Sequence, residues 1–210
     1  MKNSPWQYAV RFGSAWVLCI YLAHIAGNYL IAQLAPAAAF VSEAIHTATA
    51  ITLVVRPEDN AVEIRTFLLK PVRLSDSLFL RGHSRLPVAS VTSNHLVVPA
   101  SIILTILLAL PAPSIKAKAK ILIVGGATAL LVTVLNAGVL IAGKIDIVFL
   151  EAYMNAGLNH EQSSLIWLVI LLETGVTSAL AIGVAFLLHR LLTMRAGSAL
   201  IPEPQKAAPN

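Results

Sequence analysis

The 23 residues 121–143, ILIVGGATALLVTVLNAGVLIAG, contain no charged side chain, and they decide which solvent this chain folds in. A helix needs roughly 17 to 25 mostly apolar residues to cross a hydrocarbon core about 30 Å thick, so this stretch is long enough to span a bilayer. Three others share its character. Residues 13–35 carry no charge, residues 96–112 are the shortest and hold Pro99 near their start, and residues 165–188 have Glu173 as their single charge. A proline near the first turn of a helix does little harm, because the N–H it removes there is unpaired anyway.

The rest of the composition agrees. Of 210 residues, 57% are hydrophobic and 12% charged, against about a quarter charged in soluble domains. Disordered chains are poor in aliphatic residues and rich in charge, so disorder is excluded as well. Lys plus Arg is 15 and Asp plus Glu 10, a net charge of +5. The basic residues stand in short clusters between apolar runs, with no basic stripe interleaved with aromatics, so a nucleic-acid partner is not expected. Cys19 is the single cysteine and allows no intrachain disulfide. The first apolar run exceeds the 7 to 15 residues of a signal-peptide core and lacks a small-residue cleavage site, which makes it an uncleaved anchor.

Lys and Arg in short flanks set orientation, because cytoplasmic loops retain them. Lys2 and Arg11 precede the first run, Lys116, Lys118 and Lys120 fill the bend between the second and third, and Arg190, Arg195 and Lys206 follow the fourth. Four crossings put all eight on one side. The expected fold is a membrane all-α bundle of four transmembrane helices with a small β-rich extracytoplasmic insertion between helices 1 and 2. Its parts are a cytoplasmic N-terminus 1–12, spans 13–35, 96–112, 121–143 and 165–188, an outer segment 36–95, a basic cytoplasmic loop 113–120, an outer loop 144–164, and a cytoplasmic tail 189–210 whose end is expected to be disordered. The expected location is a bacterial cytoplasmic (inner) membrane.

Within the outer segment, Pro36 is expected to end the first span and residues 37–46 to form a short helix lying along the interface. A change of period follows. Residues 47–56 (TATAITLVVR) are rich in β-branched side chains, 57–60 (PEDN) have turn chemistry, and 61–69 (AVEIRTFLL) resume the extended pattern. That reads as a hairpin, with a further strand expected over 88–92. The segment 74–86, punctuated by Pro71, Gly82 and Pro87, is expected to add to the same module.

Glu173 asks for a physical explanation, because a carboxylate near a bilayer centre costs at least about 2.5 kcal/mol on insertion scales and so must be protonated, paired or facing a cavity. Asn136, or His24 and Asn28, could serve as its partner. His24 and Asn28 stand at i and i+4 on one face of the first span. Gly175, Ala179 and Gly183 form a small-residue ridge suited to close helix packing, and the fourth span is expected to be the central helix. Trp6, Tyr8, Trp16 and Trp167 read as interfacial anchors. The six histidines show no metal-ligand spacing and no nucleophile motif is present, so neither metal, cofactor nor catalysis is expected.

Residues 93–111, SNHLVVPASIILTILLALP, followed by the basic stretch IKAKAK at 115–120, resemble a stretch of the exosortase-associated small integral membrane proteins of the exosortase H-associated type. The layout of one span, an extracytoplasmic β-type segment and three further spans is similar too, over most of residues 13–192. The resemblance implies a Gram-negative inner membrane and an accessory role beside a sorting transpeptidase. Such transpeptidases use a membrane-embedded Cys, Arg and His, and no arginine lies within any of the four apolar runs here.

Three functions fit these readings. The first is a non-catalytic accessory protein that lives in the lipid bilayer and binds a membrane protein partner or a second copy of itself. A small proton-coupled carrier or channel subunit centred on Glu173 is the second. A structural subunit of a larger membrane complex is the third.

Overall fold

Residues 5–73, 79–158 and 162–198 are described by a computed structural model; the ends of the chain, with Lys2 and Lys206, and His160 and Glu161 lie outside them. The first helix, α1, runs from Pro5 to Ile45 and differs from the expected span 13–35 at both ends. It is helical before Gly13, and it continues through Pro36, so no separate interfacial helix exists over 37–46. A proline inside a helix costs about 3 kcal/mol, yet Ala35, Ala37, Ala38 and Ala39 around it are the best helix formers. Ala38, Ala39 and Ser42 are also buried, so packing of the outer half offsets the cost.

The antiparallel hairpin of β1 (Thr49–Arg56) and β2 (Ala61–Leu68) lies where the β-branched pattern predicts it. Asn60 takes a positive φ of 49° in the turn, a conformation asparagine tolerates. Two short strands, β3 (Val72–Arg73) and β4 (Phe79–Leu80), pair with each other, and β5 (Ala89–Thr92) adds to β2, giving the sheet order β1-β2-β5. Ile51, Val62, Ile64, Leu68 and Val91 are buried on the inner face. On the outer face Glu63 bridges Arg56 and Arg65. Its hydrogen bond from Arg56, aided by Arg65, holds the Glu63 carboxyl below its ordinary range against the opposing effect of partial burial. One apolar and one charged face is the mark of a sheet that packs on one side and meets water on the other.

The helix α2 (Ser93–Ala109) follows β5 without a loop. It has 17 residues and is enclosed nearly all round, with Ile103, Thr105 and Leu107 fully buried. This helix, rather than the fourth apolar run, occupies the middle of the bundle, against α1 and the helices that follow. Its last carbonyls would be unpaired at the helix end; the Lys118 ammonium donates to the carbonyls of Leu107, Leu108 and Leu110 at 2.7, 2.8 and 2.6 Å. The helix end with its negative dipole favours that cation.

The helix α3 (Ile115–Asn155) starts under a Ser114 cap, whose hydroxyl accepts from the Ala117 N–H. It is 41 residues long, so the basic bend is mostly helix and the expected outer loop over 144–164 begins only after Asn155. The helix persists beyond Gly143 because Ile145 and Val148 continue its buried face while Lys144 and Asp146 sit on its flanks. Gly157, at φ +70°, closes it in the left-handed conformation that ends many helices.

The fourth apolar run is not one helix. Helix α4 (Ser164–Leu171) passes into a π-helical turn (Leu172–Val176) and then α5 (Thr177–Ser198). Gly175, at φ +113°, breaks the ladder there, a conformation that glycine adopts without steric cost. Three helices, Pro5–Ile45, Ile115–Asn155 and Ser164–Met194, are long and apolar enough to cross a membrane, not the four expected; α2 falls just short by length.

Candidate functional site

Two levels of polar contact tie the long helices together. At the inner level lies Asn136. Pro99 has no N–H to offer the His95 carbonyl four residues before it, and Asn136 Nδ2 donates to that carbonyl at 3.2 Å. Thr177 shares its hydroxyl between the Leu172 carbonyl at 2.9 Å and Asn136 Oδ1 at 3.4 Å. One amide therefore satisfies both a proline-freed carbonyl on α2 and the start of α5. Asn136→Leu should cost about 1–3 kcal/mol by leaving the carbonyl unmet. In a Pro99→Ala chain, where the helix can supply its own N–H, the same substitution should cost clearly less; equal losses in the two backgrounds of a thermal-unfolding series in detergent would refute the assignment.

The outer level is charged. Lys144 Nζ stands 2.9 Å from Glu173 Oε1, with both side chains about a quarter exposed. Glu173 therefore finds its partner on the stretch of α3 expected to be a loop, and not in Asn136, His24 or Asn28. Beside this pair, His46 Nε2 lies 3.0 Å from the Ala142 carbonyl and 3.2 Å from Asp146 Oδ1. Both neighbours are acceptors, so Nε2 carries the proton and donates to them. Glu43 Oε1 accepts from the Ile51 N–H at 2.7 Å and fastens the sheet to α1. His46, Asp146 and Lys144 were not singled out from sequence, since about 100 residues separate the first two and no periodicity links them.

His24 and Asn28 face a different space. They line a cavity of about 600 Å³ between α1, α2 and the hairpin turn, together with Trp16, Ile20, Asn60, Ser93 and Asn94. Gly27, between them, is buried against Val97. The small-residue ridge points outward: a Cβ built on Gly175 or Gly183 would meet nothing within 4 Å, and Ala179 is exposed. The helical glycines that leave no room for a Cβ are on α3. A Cβ on Gly125 would strike Leu107, on Gly138 Val41, and on Gly143 Val169. At the opposite end of the bundle Arg11, Lys118 and residues 108–112 line a common groove. Among the described residues no three His, Cys, Asp or Glu side chains gather as a metal site would require.

Three long apolar helices with a small sheet define a mostly helical, multi-pass membrane protein. The chain matches no family model, no curated protein and no solved structure.

Proposed function

We propose that this chain is a non-catalytic membrane protein that crosses the bilayer four times and docks a second membrane protein on the outward face of α4. The observation that carries the reading is the unpartnered apolar face of α4. Val169 packs α4 into the core that also holds Ile64 and Val91 of the sheet, while Trp167, Leu168, Ile170 and Leu171 are exposed. These residues lie in the first two turns of the Ser164–Met194 span, where such a face is open to a partner helix, and they follow the side of the bundle that carries the sheet.

The four crossings rest on α2, whose roughly 25 Å length is compatible with a helix enclosed by its neighbours, and on the shared groove of Arg11 and Lys118, which sets two of the basic clusters on one side. By the positive-inside rule that side is cytoplasmic. The resemblance over residues 93–111 supports a bacterial inner membrane and a sorting transpeptidase as the partner.

A photo-crosslinking residue placed at Ile170 tests the docking face, with one at Thr52 on the outer sheet as control. The expected result is a defined adduct from position 170 in intact cells, lost when Leu168→Glu is added, and none from position 52. An adduct of twice the chain's mass would identify the partner as another copy. Absence of any adduct from 170 would refute the reading.

A second reading has its own support: Glu173 and Lys144 meet beside a broken helix, an arrangement transporters use at ion sites. Its test is argued below.

A further inference from the structure

We infer that the groove shared by Arg11 and Lys118 binds the phosphate of an anionic glycerophospholipid. The groove has a volume of about 630 Å³, and no Asp or Glu lines it. Its two cations stand close enough for the charge of Arg11 to act against that of Lys118. Two like charges side by side repel, and among the described residues no carboxylate pairs with either of them.

The two cations have different donors left to give. All three N–H bonds of the Lys118 ammonium go to the carbonyls of Leu107, Leu108 and Leu110, so it supplies charge and no further hydrogen bond. The Arg11 guanidinium donates to nothing among the described residues, and its planar fork matches two oxygens of a phosphate. Ser114 lines the same groove, and its oxygen accepts from the Ala117 N–H, which leaves its own O–H to donate.

Level and lining choose a lipid over an anion free in water. Arg11 stands two residues before the uncharged run 13–35, and Lys118 three before 121–143. The end of the run 165–188 reaches the same level, because His189 Nε2 lies 2.9 Å from the carbonyl of Pro111, which lines the groove. The groove therefore sits where three membrane segments leave the hydrocarbon, the depth of lipid phosphates. The rest of its lining is apolar, including Leu108, Leu110 and an almost fully exposed Ile115, and Val10 and Phe12 are exposed on either side of Arg11. A phosphate that brings its own acyl chains covers these surfaces; a bare anion does not. Basic pockets between membrane helices take such head groups, and a phosphocholine head would set its own ammonium against the two cations.

The inference rests on the membrane placement above but not on the docked partner. Its test releases the full chain from nanodiscs of equal phosphatidylcholine and phosphatidylglycerol in a mass spectrometer and counts the lipids it retains. Phosphatidylglycerol should be retained in clear preference to phosphatidylcholine, and excess inorganic phosphate should not displace it. Arg11→Gln, at an exposed helical position, should weaken retention roughly tenfold or more, as expected for lost charge-assisted hydrogen bonds. Lys116→Gln with Lys120→Gln removes more charge from exposed positions about 200° round α3 from Lys118, and should have a much smaller effect. Equal retention of both lipids, displacement by phosphate, or a loss from the lysine pair as large as that from Arg11→Gln would overturn the inference. None of these outcomes bears on crosslinking at Ile170.

Discussion

Gly138→Leu is expected to leave little folded protein, while Gly126→Leu on the same helix melts within about 0.5 kcal/mol of the parent. A Cβ at Gly138 would overlap the side chain of Val41 and come within 3.2 Å of the Ala38 carbonyl, whereas one at Gly126 meets nothing within 4 Å. The obstruction at Gly138 includes backbone, which cannot rotate away. Overpacking by a methyl or two already costs about 1–3 kcal/mol; a leucine here must separate α1 from α3 altogether. The outer half of α1 carries the sheet through Glu43, so the hairpin should be lost with it. Size-exclusion chromatography and thermal unfolding in mild detergent check both arms. A Gly138→Leu chain that elutes and melts like the parent would show that the two helices do not approach as described.

Lys144→Met should destabilise the chain by about 1–3 kcal/mol, short of the 3–5 kcal/mol of a fully buried pair because water or a partner reaches both side chains. The loss comes mainly from Glu173, left charged on an apolar helix without its counter-ion. Glu173→Gln should cost less, since an amide tolerates burial better than a carboxylate. The reversed pair, Lys144→Glu with Glu173→Lys, should recover most of the stability, and a double-mutant cycle measures the coupling. The same variants separate the two functional readings. Under partner docking, Glu173→Gln keeps the crosslink at Ile170 and normal assembly. Under proton or cation movement, it assembles normally and yet abolishes the pH-driven flux of proteoliposomes containing the chain.

The β-branched residues of 47–56, the PEDN turn and the alternation of 61–69 made the hairpin legible, because strand and turn chemistry are local. The outer halves of α1 and α3 were not legible in the same way. Pro36 and Lys144 look like ends when a window is scored against lipid, but beyond the bilayer a helix needs only one buried face, and Ala38, Ala39, Ile145 and Val148 supply it. The break at Gly175 was hidden for the opposite reason: Leu172–Val176 remains apolar enough to read as one span. At the candidate sites, Asn136 had a readable cue, since Pro99 necessarily frees the His95 carbonyl. Glu173 had none, because its partner stands 29 positions away on another helix. The ridge of Gly175, Ala179 and Gly183 was visible as a pattern, but pattern alone could not tell it from the buried glycines of α3.

The two 41-residue helices are each about 60 Å long, twice the thickness of the hydrocarbon layer. One of them, α3, therefore touches β5 with its outer half and carries the clamping Lys118 in its first turn. The α4 segment differs: Gly175 gives it a direction of its own relative to α5, and Val169 seats it against Gly143 of α3.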